Sequence, residues 1–228
     1  MTYILHIETA TDVCSVALSK DDTVIATKES AEERNHAALL GVYIEEILAA
    51  QNLKPEDLSA VSVSEGPGSY TGLRIGVSTA KGIAYGLNIP LIAISTLQAM
   101  AYSAVLNEED FDWIAPMIDA RRMEVYTMLT DKNLKILEPT TALIVDENSF
   151  QDILESKRIL FLGTGAPKCK DIIKGKNAVF STKTNISASN MVKLAYQKYQ
   201  EKYFVDTAYF EPFYLKEFVA IKSKKAFF

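Results

Sequence analysis

Cysteine, histidine and tryptophan are scarce in this chain of 228 residues, which contains two, two and one of them. Cys14 and Cys169 lie far apart, and neither has a second Cys or a His at the spacing of a metal site. A disulfide framework and a zinc finger are therefore not expected, and both thiols should be reduced and structural in a cytoplasmic protein. No run approaches ~18 apolar residues and no leader-like segment is visible, so we expect no membrane span or targeting segment.

The charge is unevenly distributed along the chain. Residues 1–154 contain 10 Lys and Arg against 23 Asp and Glu, a net charge of −13, whereas residues 155–228 contain 14 against 6, a net charge of +8. This asymmetry indicates either a polyanion or acidic partner near the basic part, or simply an unevenly charged solvated surface. The candidate basic residues are Lys168, Lys170, Lys174, Lys176, Lys222, Lys224 and Lys225.

Hydrophobic periodicity predicts the same series of elements twice. The first series comprises strands at 3–8, 13–19 and 23–29, a helix at 35–50, a strand at 58–64, a helix at 71–87 and a strand at 90–94. The second comprises strands at 113–119, 124–130 and from 134, a helix at 149–156, a strand at 158–162 and a helix at 188–204 that is capped by Ser187. The repetition predicts a duplicated α/β fold, although a single doubly wound sheet would give a similar pattern.

A glycine-rich turn follows the predicted strand 58–64 and precedes a helix. It is not a P-loop, because Gly72 is followed by Leu73 rather than by Lys and Ser or Thr. Its glycines indicate either a tight turn or a nest of backbone N–H groups for an anion. The candidate residues for a nucleotide or anion turn are Gly66, Gly68 and Ser69, together with Gly163 and Gly165 after the strand 158–162.

Few side chains are candidates for catalysis. His6 lies in an apolar strand and is expected to be a core residue, and His36 opens a helix as a structural or interface group. Ser69 has no Gly-x-Ser-x-Gly context, so a serine peptidase is not expected. Asp119 precedes Arg121 and Arg122 at a strand end, where a carboxylate would pair with the guanidinium groups or the turn would face a phosphate.

Four segments occur in the order typical of one family. They are 4–11 (ILHIETAT), 34–40 (RNHAALL), 66–76 (GPGSYTGLRIG) with its continuation to 91, and 119–126 (DARRMEVY). In these segments, up to about residue 130, the chain resembles the TsaB family, with weaker similarity at 163–166 and 214–216. Glu8 departs from the Asp that is more frequent in TsaB, but the catalytic paralogue TsaD also tends to carry Glu there.

The resemblance implies two tandem actin-like (ASKHA, RNase H-like) domains, at 1–106 and 107–228, with the tail packing back on the first. It implies a non-catalytic subunit that works with TsaD and the ATPase TsaE in threonylcarbamoyl transfer to the tRNA adenosine next to the anticodon. The tRNA would be reached through the complex, and the free chain could form a homodimer. No cofactor is expected in the isolated chain, although a nucleotide could be shared with partners.

The metal-binding positions of the paralogue provide a test of this resemblance. TsaD holds its metal with a His-x-x-x-His pair, and the corresponding positions here are Thr96 and Met100, which are poor ligands. No metal is therefore expected. The alternative is an actin-fold enzyme, either a small-molecule kinase or a metal-dependent transferase or peptidase.

The two helices of the first unit are predicted to form the partner interface. Apolar residues sweep about 240° of the helix 35–50, more than packing on one sheet requires. The helix 71–87 carries a stripe of small residues that would face either its own sheet or a partner helix. The predicted interface residues are His36, Leu39, Leu40, Tyr43, Ile47, Gly72, Arg74, Ile75, Gly76, Thr79 and Ala80.

Overall fold

The computed structural model describes residues 1–30, 35–107, 110–182 and 186–216, which form two five-stranded sheets. The first sheet has the order β3-β2-β1-β4-β5 and consists of β1 (Tyr3–Glu8), β2 (Cys14–Lys20), β3 (Thr23–Ser30), β4 (Ala60–Gly66) and β5 (Leu91–Ser95). The second has the order β10-β9-β6-β7-β8 and consists of β6 (Trp113–Asp119), β7 (Glu124–Asp131), β8 (Ile136–Ile144), β9 (Ile159–Leu162) and β10 (Ala178–Phe180).

The two sheets share one topology. In each, the first three strands form an antiparallel meander, and the fourth strand pairs in parallel with the first and the fifth with the fourth. The repetition read from the sequence is thus confirmed as a mixed α/β fold with two equivalent sheets. The boundary at residues 106 and 107 remains a prediction.

The helices are α1 (His36–Ala50), α2 (Tyr70–Leu87), α3 (Thr96–Asn107), α4 (Gln151–Leu154), α5 (Ala166–Cys169) and α6 (Val192–Gln200). The predicted helix 149–156 shortens to α4, and the predicted helix 188–204 becomes a 3₁₀ turn, Ala188–Met191, followed by α6. Its N-terminal cap is confirmed, because the Ser187 hydroxyl accepts from the Ser189 N–H. The helix ends early because Lys202 turns the chain with a positive φ and Val205 pairs with Leu91.

The first sheet is covered on both faces, so its central strands are buried throughout. Helices α1 and α2 pack on the face that carries Leu5 and Ile7, while the 3₁₀ turn and α6 pack on the opposite face, near Ile4. Residues from both sheets join this second core, including Ile92 from β5 and Ile118 from β6. Helix α3 lies against strands of both sheets and connects them.

The segment 205–216 returns to the first sheet and runs along α2. The Lys81 Nζ donates to the carbonyl oxygens of Ala208, at 3.1 Å, and Phe210, at 2.9 Å. Further on, the Phe213 N–H donates to the Glu65 carbonyl at 2.7 Å, which brings the end of the segment to the carboxyl end of β4.

Candidate functional site

A cleft of about 840 Å³ opens between the two sheets, at the ends of the strands where the chain passes into loops. Its walls come from the β1–β2 loop, the β4–α2 turn, the β6–β7 turn and the end of the segment 205–216. Three tyrosines contribute aromatic surface, and Ser69, Thr71 and Thr164 contribute hydroxyl groups. The tyrosines are Tyr70, Tyr126 and Tyr214. The cleft is large enough for a small ligand.

The glycines predicted to form an anion turn are already packed against the chain itself. A Cβ on Gly66 would lie 2.8 Å from the Phe213 carbonyl oxygen, and one on Gly68 would collide with Ala10. The Ser69 N–H donates to the Ala10 carbonyl and its hydroxyl caps α2. These three residues therefore allow close packing of backbone, which favours the tight-turn alternative, and a phosphate nest at this turn stays a prediction.

The second glycine pair is packed in the same way. A Cβ on Gly163, whose φ is +95°, would collide with the Met100 side chain and the Met117 carbonyl oxygen. A Cβ on Gly165 would lie 2.9 Å from a methyl group of Val125. Gly163 and Gly165 thus let α3 and β6 approach the β9–α5 turn.

Aromatic and cationic side chains join the end of the segment 205–216 to α2. The rings of Tyr70 and Tyr214 lie 5.1 Å apart, and the Arg74 guanidinium carbon lies 4.2 Å from the centre of the Tyr70 ring. The Arg74 Nε also donates to the Tyr214 hydroxyl at 3.3 Å. On the other side of the cleft, the Lys216 Nζ contacts Glu124 Oε1 at 2.5 Å. The segment therefore links the first sheet to the second.

The β6–β7 turn has an uncommon backbone conformation. Arg121 and Arg122 have φ values of +68° and +47°, a region that non-glycine residues seldom adopt. Asp119 Oδ1 accepts from the Arg121 N–H at 2.7 Å and from the Lys168 Nζ at 2.5 Å. The expected pairing of Asp119 with the two guanidinium groups is therefore wrong: lysine takes that place.

Glu8 is an ionisable group that is buried at the end of β1, beside the cleft. Burial raises the pKa of its carboxyl to about 7, while the Ala10 N–H, which donates to Oε1 at 2.6 Å, and the adjacent Ser64 hydroxyl oppose the shift. Ser64 does not complete a hydrogen bond to it, so Oε2 has no partner within the described segments. The buried carboxyl therefore favours its neutral form more than an exposed glutamate does.

Both histidines have structural surroundings. His6 is buried, its ring nitrogens contact the hydroxyls of Ser62 at 2.7 Å and Ser19 at 2.9 Å, and burial lowers its pKa to about 3. His36 is also buried, and its Nε2 contacts the Thr11 carbonyl oxygen at 2.9 Å. The prediction of a core His6 is confirmed, and His36 joins α1 to the β1–β2 loop.

Thr96 and Met100 lie in the core at the start of α3. Met100 packs against Gly163, and the Thr96 hydroxyl makes no hydrogen bond to the parts of the chain that are described. Across those same parts, no group of three or more His, Cys, Asp or Glu has the geometry of a metal site. Both cysteines are buried, and burial raises the pKa of the Cys14 thiol to about 11.

More than half of the residues predicted at the partner interface are buried inside the chain. His36, Leu40, Ile47, Gly72, Gly76 and Ala80 face inward, Leu39, Tyr43, Ile75 and Thr79 are half-buried, and Arg74 is exposed. The small-residue stripe faces its own sheet, because a Cβ on Gly72 or Gly76 would collide with Thr9. The hypothesis that this stripe contacts a partner is therefore corrected.

The outward surface of α1 and α2 carries a different set of small and apolar residues. We call it the outer face, and it consists of Gly41, Val42, Gly82, Tyr85 and Gly86. Val42 is 47% exposed and Tyr85 is 84% exposed. A Cβ at any of its three glycines would have nothing within 4 Å. The sequence indicates this outer face, because Gly82 and Gly86 do not fall at the i, i+4 positions of the inward-facing stripe.

The lysines of the basic half have different surroundings. Lys168 is largely buried and also donates to the carbonyl oxygens of Arg122 and Glu124, whereas Lys170, Lys174 and Lys176 are exposed. Lys222, Lys224 and Lys225 lie outside the described residues, as does Arg34. None of the helices in the described ranges is long and apolar enough to cross a bilayer.

Comparisons with known proteins agree with this architecture. The model of the family "TsaD: tRNA N6-adenosine threonylcarbamoyltransferase" matches residues 23–224. The "tRNA threonylcarbamoyladenosine biosynthesis protein TsaB" of Escherichia coli is 33% identical, over 96% of each chain, and that of Bacillus subtilis is 36% identical, over 75% of each. The solved structure of YeaZ from Pseudomonas aeruginosa superposes with a TM-score of 0.84 and 23% identity, over 94% of this chain and all of that one.

Proposed function

Because the chain belongs to the TsaB family, we propose that it is a non-catalytic subunit that binds and activates a TsaD-like catalytic paralogue. The paralogue would transfer threonylcarbamoyl to the tRNA adenosine beside the anticodon in the cytoplasm. A TsaE-like ATPase would be a further partner, and tRNA would be reached through the complex. The relatives' role as tRNA threonylcarbamoyladenosine biosynthesis proteins supports the pathway.

The outer face is the observation that carries this proposal. Helices α1 and α2 contact each other on the first sheet, so both present outward surfaces on the same side of it. Three glycines leave these surfaces without side chains at their positions, and Val42 and Tyr85 add exposed apolar groups. An interior helical glycine lowers helix stability by about 1 kcal/mol relative to alanine. Close approach of another helix would offset that loss.

A paralogue of the same fold is a natural occupant of the outer face. It would present an equivalent pair of helices, and the two pairs would pack as a bundle of four about a pseudo-twofold axis. A second copy of this chain would use the same surface when the paralogue is absent, which gives a homodimer. We assign each subunit two actin-like domains, here 1–106 and 107–228. Any nucleotide would be shared between subunits, since the glycine turns are filled by the chain itself.

The partner surface is tested by placing charge and bulk on it. Tyr85→Glu and Gly82→Arg should abolish co-purification with the TsaD-like paralogue, because both positions are open to solvent in the free chain. Ile144→Glu is the matched control, since Ile144 is 71% exposed on the distant edge strand β8. Circular dichroism and thermal melts establish that each variant is folded. Normal pairing by both outer-face variants would place the interface elsewhere.

The pathway is tested by depleting the protein and analysing the nucleosides of bulk tRNA. We expect threonylcarbamoyladenosine to disappear, and to return when the wild-type chain is restored but not with Tyr85→Glu. Unchanged modification after depletion would contradict the proposed function.

The non-catalytic role is tested on the purified chain. Because Thr96 and Met100 lie in the core, we expect no stoichiometric iron or zinc in the purified chain. We also expect that it does not transfer the threonylcarbamoyl group from the threonylcarbamoyl adenylate. Turnover in a preparation free of the paralogue would instead support an actin-fold enzyme.

A further inference from the structure

We propose that the basic surface around the β6–β7 turn binds the phosphodiester backbone of RNA. This surface, the basic rim, consists of Arg121, Arg122, Lys170, Lys174 and Lys216. The choice of RNA as the polyanion rests on the proposed function, but the surface itself is defined by charges and contacts of this chain.

The side chains of Arg121 and Arg122 are exposed and are not needed for contacts within the described part of the chain. The described residues offer neither guanidinium group a hydrogen bond or an ion pair, and the nearby Asp119 carboxylate is already engaged by Lys168. Successive positive φ values in a hairpin turn favour Asn or Gly, so arginine is not what the backbone demands here. Such an outlier points to a function for the side chains.

Contacts of Lys168 and Lys216 tie α5 and the end of the segment 205–216 to the β6–β7 turn. The Lys168 Nζ donates to the Arg122 carbonyl oxygen at 2.8 Å, which holds α5, and Lys170 just after it, beside the arginines. Lys174 is exposed, and its Nζ contacts the Lys170 carbonyl oxygen at 3.4 Å and the Asp171 carboxylate at 3.7 Å. Lys216 approaches the β6–β7 turn from the opposite side, where its Nζ contacts the carboxylate of Glu124.

All five residues of the rim are cationic and exposed, although the whole chain has a net charge of −5. An extended array of cations of this kind suits a polyanion better than a single phosphate group.

The cleft beside the rim favours RNA over an acidic protein. Arg121 lines it together with Tyr70, Tyr126 and Tyr214. Aromatic rings next to cationic groups bind single-stranded nucleic acid by stacking on bases while the cations follow the backbone. Asp12 lines the first-sheet side of the cleft, whereas Asp119, on the second-sheet side, is paired with Lys168, so we place the phosphates on the second-sheet side.

The test measures the salt dependence of RNA binding by the full chain. Binding of a fluorescently labelled transfer RNA transcript is followed by anisotropy from about 20 to 300 mM salt. Arg121→Asn with Arg122→Asn removes both charges and keeps a residue that tolerates the turn. The log–log slope should flatten by roughly 0.7–0.9 for each lost contact, hence by about 1.4–1.8 for the pair.

Further variants and competitors decide between outcomes. Lys170→Gln with Lys174→Gln should flatten the slope similarly, whereas Lys54→Gln with Lys157→Gln, exposed lysines away from the rim, should leave it unchanged. Equal slopes for all variants, no binding by the wild type at about 20 mM salt, or competition by ATP as effective as that by RNA per phosphate would overturn the proposal.

The basic rim and the outer face can be distinguished in one set of variants. Rim variants should still co-purify with the TsaD-like paralogue, and Tyr85→Glu should still bind the transcript with the wild-type slope. Loss of pairing in the rim variants with unchanged RNA binding would make the rim a protein contact and refute its assignment to RNA.

Discussion

Two glycines on α2 should respond in opposite ways to the same added methyl group. Gly76 faces β1, where a Cβ would collide with the Thr9 hydroxyl oxygen, while Gly82 faces solvent. That hydroxyl donates to the Gly72 carbonyl at 2.8 Å inside the core. The methyl group of Gly76→Ala must therefore displace the Thr9 hydroxyl from its buried hydrogen bond, whereas the methyl group of Gly82→Ala contacts no other atom of the described residues.

The expected magnitudes follow from these surroundings. Alanine gains about 1 kcal/mol of helix propensity at either position. At position 76, overpacking costs about 1–3 kcal/mol and the strained hydrogen bond about 1 kcal/mol more. Gly76→Ala should thus lower the free energy of unfolding by about 1–3 kcal/mol, and Gly82→Ala should raise it by about 1 kcal/mol.

Urea unfolding followed by circular dichroism measures both changes as shifts of the midpoint at constant m value. The two variants form their own matched pair, because they differ only in which side of α2 receives the methyl group. A Gly76→Ala protein as stable as Gly82→Ala would show that the inward stripe does not pack on β1, and the corrected assignment of the α2 faces would fail.

Three more changes test the buried carboxyl, the tail and a helix cap. The Glu8 carboxyl has a folded pKa of about 7 against an ordinary value of 4.5, so stability should fall by about 3 kcal/mol as the pH rises through this interval. Glu8→Gln should match the wild type near pH 4.5 and exceed it at pH 8 in urea melts; parallel pH profiles would contradict the buried acid. Lys81→Met removes two hydrogen bonds to carbonyl oxygens of the segment 205–216, so amide hydrogen exchange there should accelerate while the second sheet stays protected. Ser187→Ala should lower the free energy of unfolding by about 1 kcal/mol through loss of the cap on the 3₁₀ turn, and an unchanged urea midpoint would argue against the cap.

Local periodicity was sufficient for most of the elements. Nine of the ten strands in the described residues were predicted, because most of them carry alternating or continuous apolar residues and are separated by polar turns. The three-residue strand β10 was missed, since Ala178–Phe180 is too short to show a period. The early end of α6 could not be read either, because the competing partner of Val205 is Leu91, which is remote in sequence.

The orientation of α2 shows where the sequence alone was insufficient. Its glycines and alanines predicted a close approach of backbone but not which backbone approaches. The answer depends on Thr9, which is brought under Gly72 and Gly76 only by the pairing of β1 with β4. The contacts among Tyr70, Arg74 and Tyr214 could not be predicted from the sequence either, because the hydrogen bond from Arg74 to Tyr214 spans 140 residues.

The placement of α6 on the first sheet has a consequence for how the chain matures. All five strands of that sheet precede residue 96, yet part of the covering of one face arrives only with residues 186–200, which bring Met191 and Ala195 against Ile4. In a nascent chain emerging from the ribosome, this part of the first sheet therefore stays exposed while some ninety further residues are synthesised. A fragment ending at residue 106 should expose the part of that face that α6 covers and aggregate, and proteolysis that removes α6 should damage the beginning of the protein rather than its end.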